Sequence, residues 1–135
     1  MLPVKKNTTF FKNIKNTIVW LGHASFFIRM DGFNILTDPV FTDSIYLKRK
    51  AGLCCGLEEI QNIDYILVSH SHFDHYDSEA LETLLRNNPK AKGLVPLQMG
   101  EIFHKHGPNR VEEAGWWQQY TTPSGIEIDL LPAKH

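Results

Sequence analysis

Apolar residues in this chain fall in short runs separated by glycine, proline and Asx residues. Ile18-Val19-Trp20-Leu21 is stopped by Gly22, and residues 24–30 resume with aromatic and branched side chains. Asp31-Gly32 is the signal of a tight hairpin, so residues 33–37 are predicted to return beside 24–30. Asp38-Pro39 ends that strand, because proline lacks a ladder N–H and biases its predecessor towards extended backbone. Residues 65–69 and 92–96 are apolar runs of the kind found in buried strands. Between them, Ala80, Leu81, Leu84 and Leu85 recur at helical spacing. They predict a helix over 78–87, capped by Asp77 and stopped by Asn87-Asn88-Pro89.

A short helix over 97–105 is closed by Gly107-Pro108. Residues 110–113, 117–121 and 126–131 then read as strands, the last two joined through Pro123-Ser124-Gly125. Residues 58–63 are predicted to make one helical turn. Residues 1–16 are polar, basic and aperiodic, a poorly packed lead-in to a domain over 17–135. Strands, then strand–helix–strand–helix, then strands again describe a mixed α/β domain with helices covering a sheet, not an all-β barrel.

Composition narrows the partners more than the fold. With 135 residues, 42% hydrophobic and 21% charged, the chain is an ordinary single domain. A net charge of −1 and a pI near 6.6 argue against nucleic acid and against an electrostatic membrane anchor. No run reaches the ~18 apolar residues of a membrane span, and no signal peptide is evident. A cytoplasmic location is expected. Cys54 and Cys55 are adjacent, so they make no extracellular disulfide framework and read as small, buried or half-buried thiols. Residues 41–56 form a long connection containing Lys48-Arg49-Lys50, either a functional lid or a solvated basic loop. Trp116 and Trp117 read as core and sheet-packing residues, and His104 and His106 as surface.

Chemistry concentrates in Ile66-Leu67-Val68-Ser69-His70-Ser71-His72-Phe73-Asp74-His75-Tyr76-Asp77. A buried strand runs into a helix cap here, and His70, His72, Asp74 and His75 occupy the loop between them. In extended backbone His70 and His72 would project to one side, while Asp74 and His75 approach from the turn. Imidazole suits Zn, Fe, Ni or Cu, and a carboxylate widens the choice towards Mn or a bridged pair.

The pattern His-x-His-x-Asp-His resembles the signature of the metallo-β-lactamase-fold hydrolases. Trp20-Leu21-Gly22-His23-Ala24-Ser25, Leu36-Thr37-Asp38-Pro39 and Pro132-Ala133-Lys134-His135 sharpen the resemblance. Together they are similar to the branch holding the N-acyl-phosphatidylethanolamine-hydrolysing phospholipases D, which is related to the ascorbate-6-phosphate lactonases. The resemblance implies an αββα sandwich of which this chain holds about the N-terminal half, the C-terminal half being absent. It implies that His70, His72 and His135 hold one ion, and that Asp74 and His75 begin a second position and carry the catalysis. Asp38 corresponds to an acidic position that orients a metal-site histidine, against the plain alternative of a turn-forming Asp. His23 either lines the same pocket or is a satisfied structural histidine.

The implied cofactor is Zn2+, one or two ions, with Mn2+ or Fe2+ as substitutes. The second position, short of ligands, predicts one tightly held ion per chain. A metal-bound hydroxide would then hydrolyse a small or lipid phosphodiester. Lactone hydrolysis on a sugar phosphate stays open. So does a catalytically incomplete binding module whose bare sheet face is covered by a second copy or by the missing half.

Overall fold

The computed structural model describes residues 10–12, 15–43, 52–105, 107, 110–123 and 125–134. Strands β1 (Thr17–Gly22), β2 (Ser25–Met30) and β3 (Phe33–Thr37) form an antiparallel meander. The strands β4 (Tyr65–Leu67), β5 (Lys92–Pro96) and β6 (Val111–Ala114) extend it in parallel, in the order β1-β2-β3-β4-β5-β6. Helix α1 (Ser78–Asn87) carries the chain from β4 to β5, and α2 (Gly100–His104) from β5 to β6. A separate antiparallel pair, β7 (Gln118–Thr121) and β8 (Glu127–Leu130), completes the described elements. The mixed α/β class follows. No helix among the described residues is long and apolar enough to cross a membrane.

Neighbouring residues of the central strands enter different cores, because successive side chains point to opposite faces. Leu36, Ile66 and Val95 pack with Leu81, Leu84, Leu85 and Phe103 under the helices. Ile35, Tyr65 and Leu94 pack with Tyr120 and Ile126 from the β7–β8 side. Both faces are covered, so the strands read as continuous apolar runs rather than alternating ones. The α1 stripe is fully buried, Ala80, Leu81, Leu84 and Leu85 being at most 1% exposed. Each such leucine contributes about 1.5–3 kcal/mol. The helix stops where Asn88 Nδ2 donates back to the carbonyl of Leu84, and Arg110 collects the carbonyls of Leu85, Asn88 and Ala91.

Several expected boundaries move. The central strand ends at Leu67 rather than Ser69, because the Ser69 N–H goes to the Asp38 side chain instead of a neighbouring backbone. The second helix starts at Gly100, since residues 97–99 are spent on a turn with Gln98 at φ 73 and Met99 N–H on the Pro96 carbonyl. The helical turn expected over 58–63 is a 3-10 turn at Leu57–Glu59. Within the expected lead-in, the Phe11 ring stands edge-on to Phe27 at 5.0 Å, and Arg29 donates to the Phe11 carbonyl. Trp116 and Trp117 are not core: they are 66% and 78% exposed. They occupy the turn between β6 and β7, with Trp117 at φ 65, where strand alternation does not apply. Of the two thiols only Cys55 is buried; Cys54 is exposed. Burial, with Cys54 and the nearby Glu59 and Glu58 adding to it, pushes the Cys55 thiol up to about 12. His104 lies at the surface as expected. His106 and Lys48-Arg49-Lys50 lie outside the described residues.

Tyr120 ties the small sheet to the large one. Its hydroxyl lies 2.7 Å from the Val95 carbonyl and 2.9 Å from that of Glu112, donating its single proton between them. Burial pushes this phenol up to about 12. The folded chain therefore favours the neutral form. The associated stability is intact below the unfolded value near 10 and is lost as pH rises through about 12. Tyr120→Phe is expected to cost about 0.5–1.5 kcal/mol in urea unfolding at neutral pH and to flatten that alkaline decline. An unchanged alkaline limb would show that Tyr120 does not link the sheets.

Candidate metal centre

The chain leaves β4 in the strand-to-helix loop expected, and residues 72–76 of that loop close a tight, helix-like turn. His75 N–H and Tyr76 N–H both donate to the His72 carbonyl, at 2.9 and 2.7 Å. Asp77 fixes the far end of this turn. Its side chain accepts from Ala80 N–H at 3.0 Å as the helix cap, and from Phe41 and Thr42 N–H at 3.0 and 2.7 Å. One buried carboxylate thus starts α1 and holds the chain that leaves β3. Desolvation raises its pKa, but the donated N–H groups outweigh this and leave Asp77 below the ordinary carboxylate range.

The turn brings the side chains of Asp74 and His75 towards those of His70 and His72, as expected. The His70 and His72 rings stand 4.8 Å apart, and those of His70 and His75 stand 4.1 Å apart. The donor atoms of His70, His72 and Asp74 lie within 4.8 Å of one another, and so do those of His23, Asp74 and His75. Asp74 belongs to both groups. Its pKa is lowered: desolvation pushes it up, and its own backbone N–H, His75 and His23 together outweigh that. Asp74 is therefore an ionised oxygen donor at neutral pH. His135 lies outside the described residues.

Behind the cluster sits Asp38, 7% exposed. Its carboxylate accepts from Ser69 N–H at 2.6 Å, Ser69 Oγ at 2.7 Å and His75 Nδ1 at 2.8 Å. An ionised carboxylate only accepts, so His75 carries its proton on Nδ1 and its lone pair on Nε2. The Ser69 hydroxyl, having given its proton to Asp38, can only accept from His70 Nδ1 at 2.9 Å. This puts the lone pair on His70 Nε2, a buried atom. Ser69 is a contact that sequence reading missed, as its hydroxyl was read only as a strand end.

Asp38 adopts φ 36, against the extended preference of a residue before proline. Such strain costs of order 1–3 kcal/mol and persists where surroundings over-determine it. Here its N–H donates to the Leu67 carbonyl at 2.8 Å and its own carbonyl accepts from Ser25 Oγ at 2.6 Å. The residues fit a zinc- or iron-class ion: imidazoles, two of them held through Nδ1, one carboxylate, and a hydrogen-bonded backing. A cavity of about 720 Å³ opens beside Ser69 and His70, between Leu67 and Leu94 of the sheet and Ile128 and Leu130 of β8.

Comparison with known proteins agrees with this picture. The profile of the β-lactamase superfamily domain matches residues 17–135. An N-acyl-phosphatidylethanolamine-hydrolyzing phospholipase D of Caenorhabditis elegans is 32% identical, over 86% of this chain and 36% of its own length. A UPF0173 metal-dependent hydrolase of Methanopyrus kandleri is 30% identical, over 87% of this chain and 46% of its own. Among solved structures, CmlA, a diiron β-hydroxylase from Streptomyces venezuelae, superposes with TM-score 0.70 at 25% identity, covering 89% of this chain and 24% of its own. The chain thus spans less than half the length of each of these relatives.

Asp38→Asn keeps the size of the side chain and its tolerance of left-handed backbone, but sets an N–H against the donors of Ser69 or His75. A loss of about 1–3 kcal/mol in chemical unfolding is expected. The His75 ring should also cease to hold one tautomer, seen by 15N NMR. An Asp38→Asn chain with undiminished stability and an unaltered His75 ring would contradict this network.

Proposed function

Since the chain belongs to the β-lactamase superfamily, we propose that it forms the metal-holding part of a metal-dependent hydrolase acting on phosphodiesters. One observation carries this reading: Asp74 lies among possible ligands with His70 and His72 on one side and with His75 on the other, while Asp38 and Ser69 hold two of the imidazoles from behind. His70 and His72 would hold one ion, with His135 as the further histidine, and Asp74 and His75 would hold a second. When bound, such ions polarise phosphoryl oxygens and supply a nucleophile from water at neutral pH.

The chain's own residues do the rest. Asp38 keeps the His75 proton on Nδ1, and through Ser69 it does the same for His70, so both Nε2 atoms stay ready to bind. The apolar cavity next to Ser69 and His70 would take the hydrophobic part of a substrate and keep water from it. That lining supports a lipid phosphodiester over a sugar-phosphate lactone, although the same donors could serve an ester carbonyl. The similarity to N-acyl-phosphatidylethanolamine-hydrolyzing phospholipases D supports the same choice. The net charge of −1 supports a small or lipid substrate rather than nucleic acid. Zinc and iron both suit the donor set, and a cytoplasmic location belongs to the same proposal.

Equilibrium dialysis of the full chain against zinc or iron, followed by assay with a chromogenic bis-aryl phosphodiester and a sugar-phosphate lactone, tests the reading. At least one retained ion per chain is expected, with phosphodiester hydrolysis reduced about 100-fold or more in His70→Ala. Hydrolysis of the lactone alone would overturn the phosphodiester assignment. A chain that retains no ion would overturn the whole reading.

A further inference from the structure

The chain has two cysteines, and the sequence sets them side by side at Cys54 and Cys55. In extended backbone the side chains of neighbouring residues point to opposite sides. Here the backbone bends at both residues and the sulfurs meet, with Cys54 Sγ 3.6 Å from Cys55 Sγ. The pair lies just ahead of the 3-10 turn at Leu57–Glu59, and Gly56 N–H donates to Glu59 Oε1 at 2.9 Å across that junction. Neither thiol belongs to the groups of possible ligands around Asp74.

The two thiols differ in what can reach them. Cys54 is exposed, whereas Cys55 is 7% exposed and packs into the core beneath the helices, with Phe41, Ile60 and Leu81. A thiolate, not a thiol, is what a peroxide oxidises readily. Burial, with Cys54 and the nearby Glu59 and Glu58 adding to it, pushes the Cys55 thiol up to about 12, so it stays protonated at neutral pH. Cys55 is thus shielded by packing and by its proton, while Cys54 meets solvent. A sulfenic acid formed on Cys54 already has Cys55 in contact, so the next step joins held neighbours and needs no collision. A soft metal ion fits the pair less well. It needs both sulfurs deprotonated, and the pair has no third acidic or imidazole donor close enough among the described residues.

We propose that Cys54 and Cys55 form a peroxide-responsive dithiol, in which Cys54 is oxidised first and Cys55 then closes a disulfide between the two neighbours. In the first step the Cys54 thiolate attacks one oxygen of hydrogen peroxide. The O–O bond breaks, and the departing hydroxide takes a proton and leaves as water. In the second step the Cys55 sulfur attacks the Cys54 sulfur and the S–O bond breaks. The Cys55 proton passes to the departing hydroxide, so no free thiolate has to form. Two thiols and one peroxide become one disulfide and two waters. Consecutive Cα atoms stand about 3.8 Å apart, closer than the roughly 4.4–6.8 Å of an ordinary bridge. A disulfide closed over that span is strained and easily reduced, which suits a reversible mark and not a permanent staple. Transient disulfides of this kind are the ones a reducing compartment allows.

Hydrogen peroxide added in equal amount to the reduced full chain, followed by intact-mass spectrometry and alkylation, tests the proposal. The unaltered chain should become two hydrogens lighter, lose both alkylatable thiols together and regain both with dithiothreitol. Cys55→Ala keeps the core apolar and should leave a Cys54 sulfenic acid that dimedone traps. Cys54→Ser should leave Cys55 about ten-fold or more slower to react with peroxide than Cys54 is in Cys55→Ala. Two thiols still alkylatable after peroxide, a disulfide-linked dimer as the main product, or sulfinic acid on Cys54 beside a free Cys55 would overturn the proposal. Equal reactivity of the two cysteines in the single variants would overturn it as well. Should Cys55→Ala lose its far-UV circular dichroism, the mass and alkylation of the unaltered chain decide alone. Neither step involves the metal centre, so the result is independent of whether the chain holds an ion.

Discussion

The carboxylate of Asp38 is the constraint on which the site depends. It lies at the end of β3, in a backbone conformation its sequence neighbour Pro39 disfavours, and every polar group it has is engaged. Through Ser69 N–H it stops β4 from pairing further, and the chain then turns over residues 72–76. Through Ser69 Oγ and His75 Nδ1 it sets the tautomers of two histidines in that turn. A single buried charge would be expensive alone; here charge-assisted bonds compensate it. The strain is tolerated because both ends of the residue are clamped by neighbouring strands.

The fold supplies the place. Parallel strands β3, β4 and β5 bring their carboxyl ends to one edge, and the loop after β4 lies there, as ligand sites do in open α/β sheets. Asp77 then couples the loop's exit to the start of α1 and to the backbone of Phe41 and Thr42. The loop is therefore held at entry by Asp38 and at exit by Asp77, with the histidines between two buried carboxylates. Exposed His72 and half-buried His70, Asp74 and His75 sit where an ion could reach them.

Much of this was legible in the sequence, for identifiable reasons. The apolar runs at 33–37 and 92–96, the Asp31-Gly32 hairpin and the α1 stripe with its Asp77 cap gave their elements with little or no shift, since each is a local pattern. The cluster at 70–75 was legible as chemistry because four ligand-type residues fall so close together. What was not legible is what depends on contacts across the sheet. The early end of β4 required knowing that Asp38 would capture Ser69 N–H, 31 residues away. Trp116 and Trp117 have the composition of core residues, but the left-handed turn at Trp117 puts them outside. His23 was balanced between pocket and structural roles because nothing local reveals that its turn faces Asp74.

The central claim is that buried hydrogen bonds pre-set the imidazoles to bind an ion through Nε2. Long-range 1H–15N NMR of the histidine rings, recorded without metal and then with one and two equivalents of zinc, tests it most directly. The account predicts that His70 and His75 already carry their protons on Nδ1 before zinc is added, and that only their Nε2 resonances move on binding. Mixed tautomers in the metal-free chain, or zinc-induced shifts at Nδ1, would contradict it.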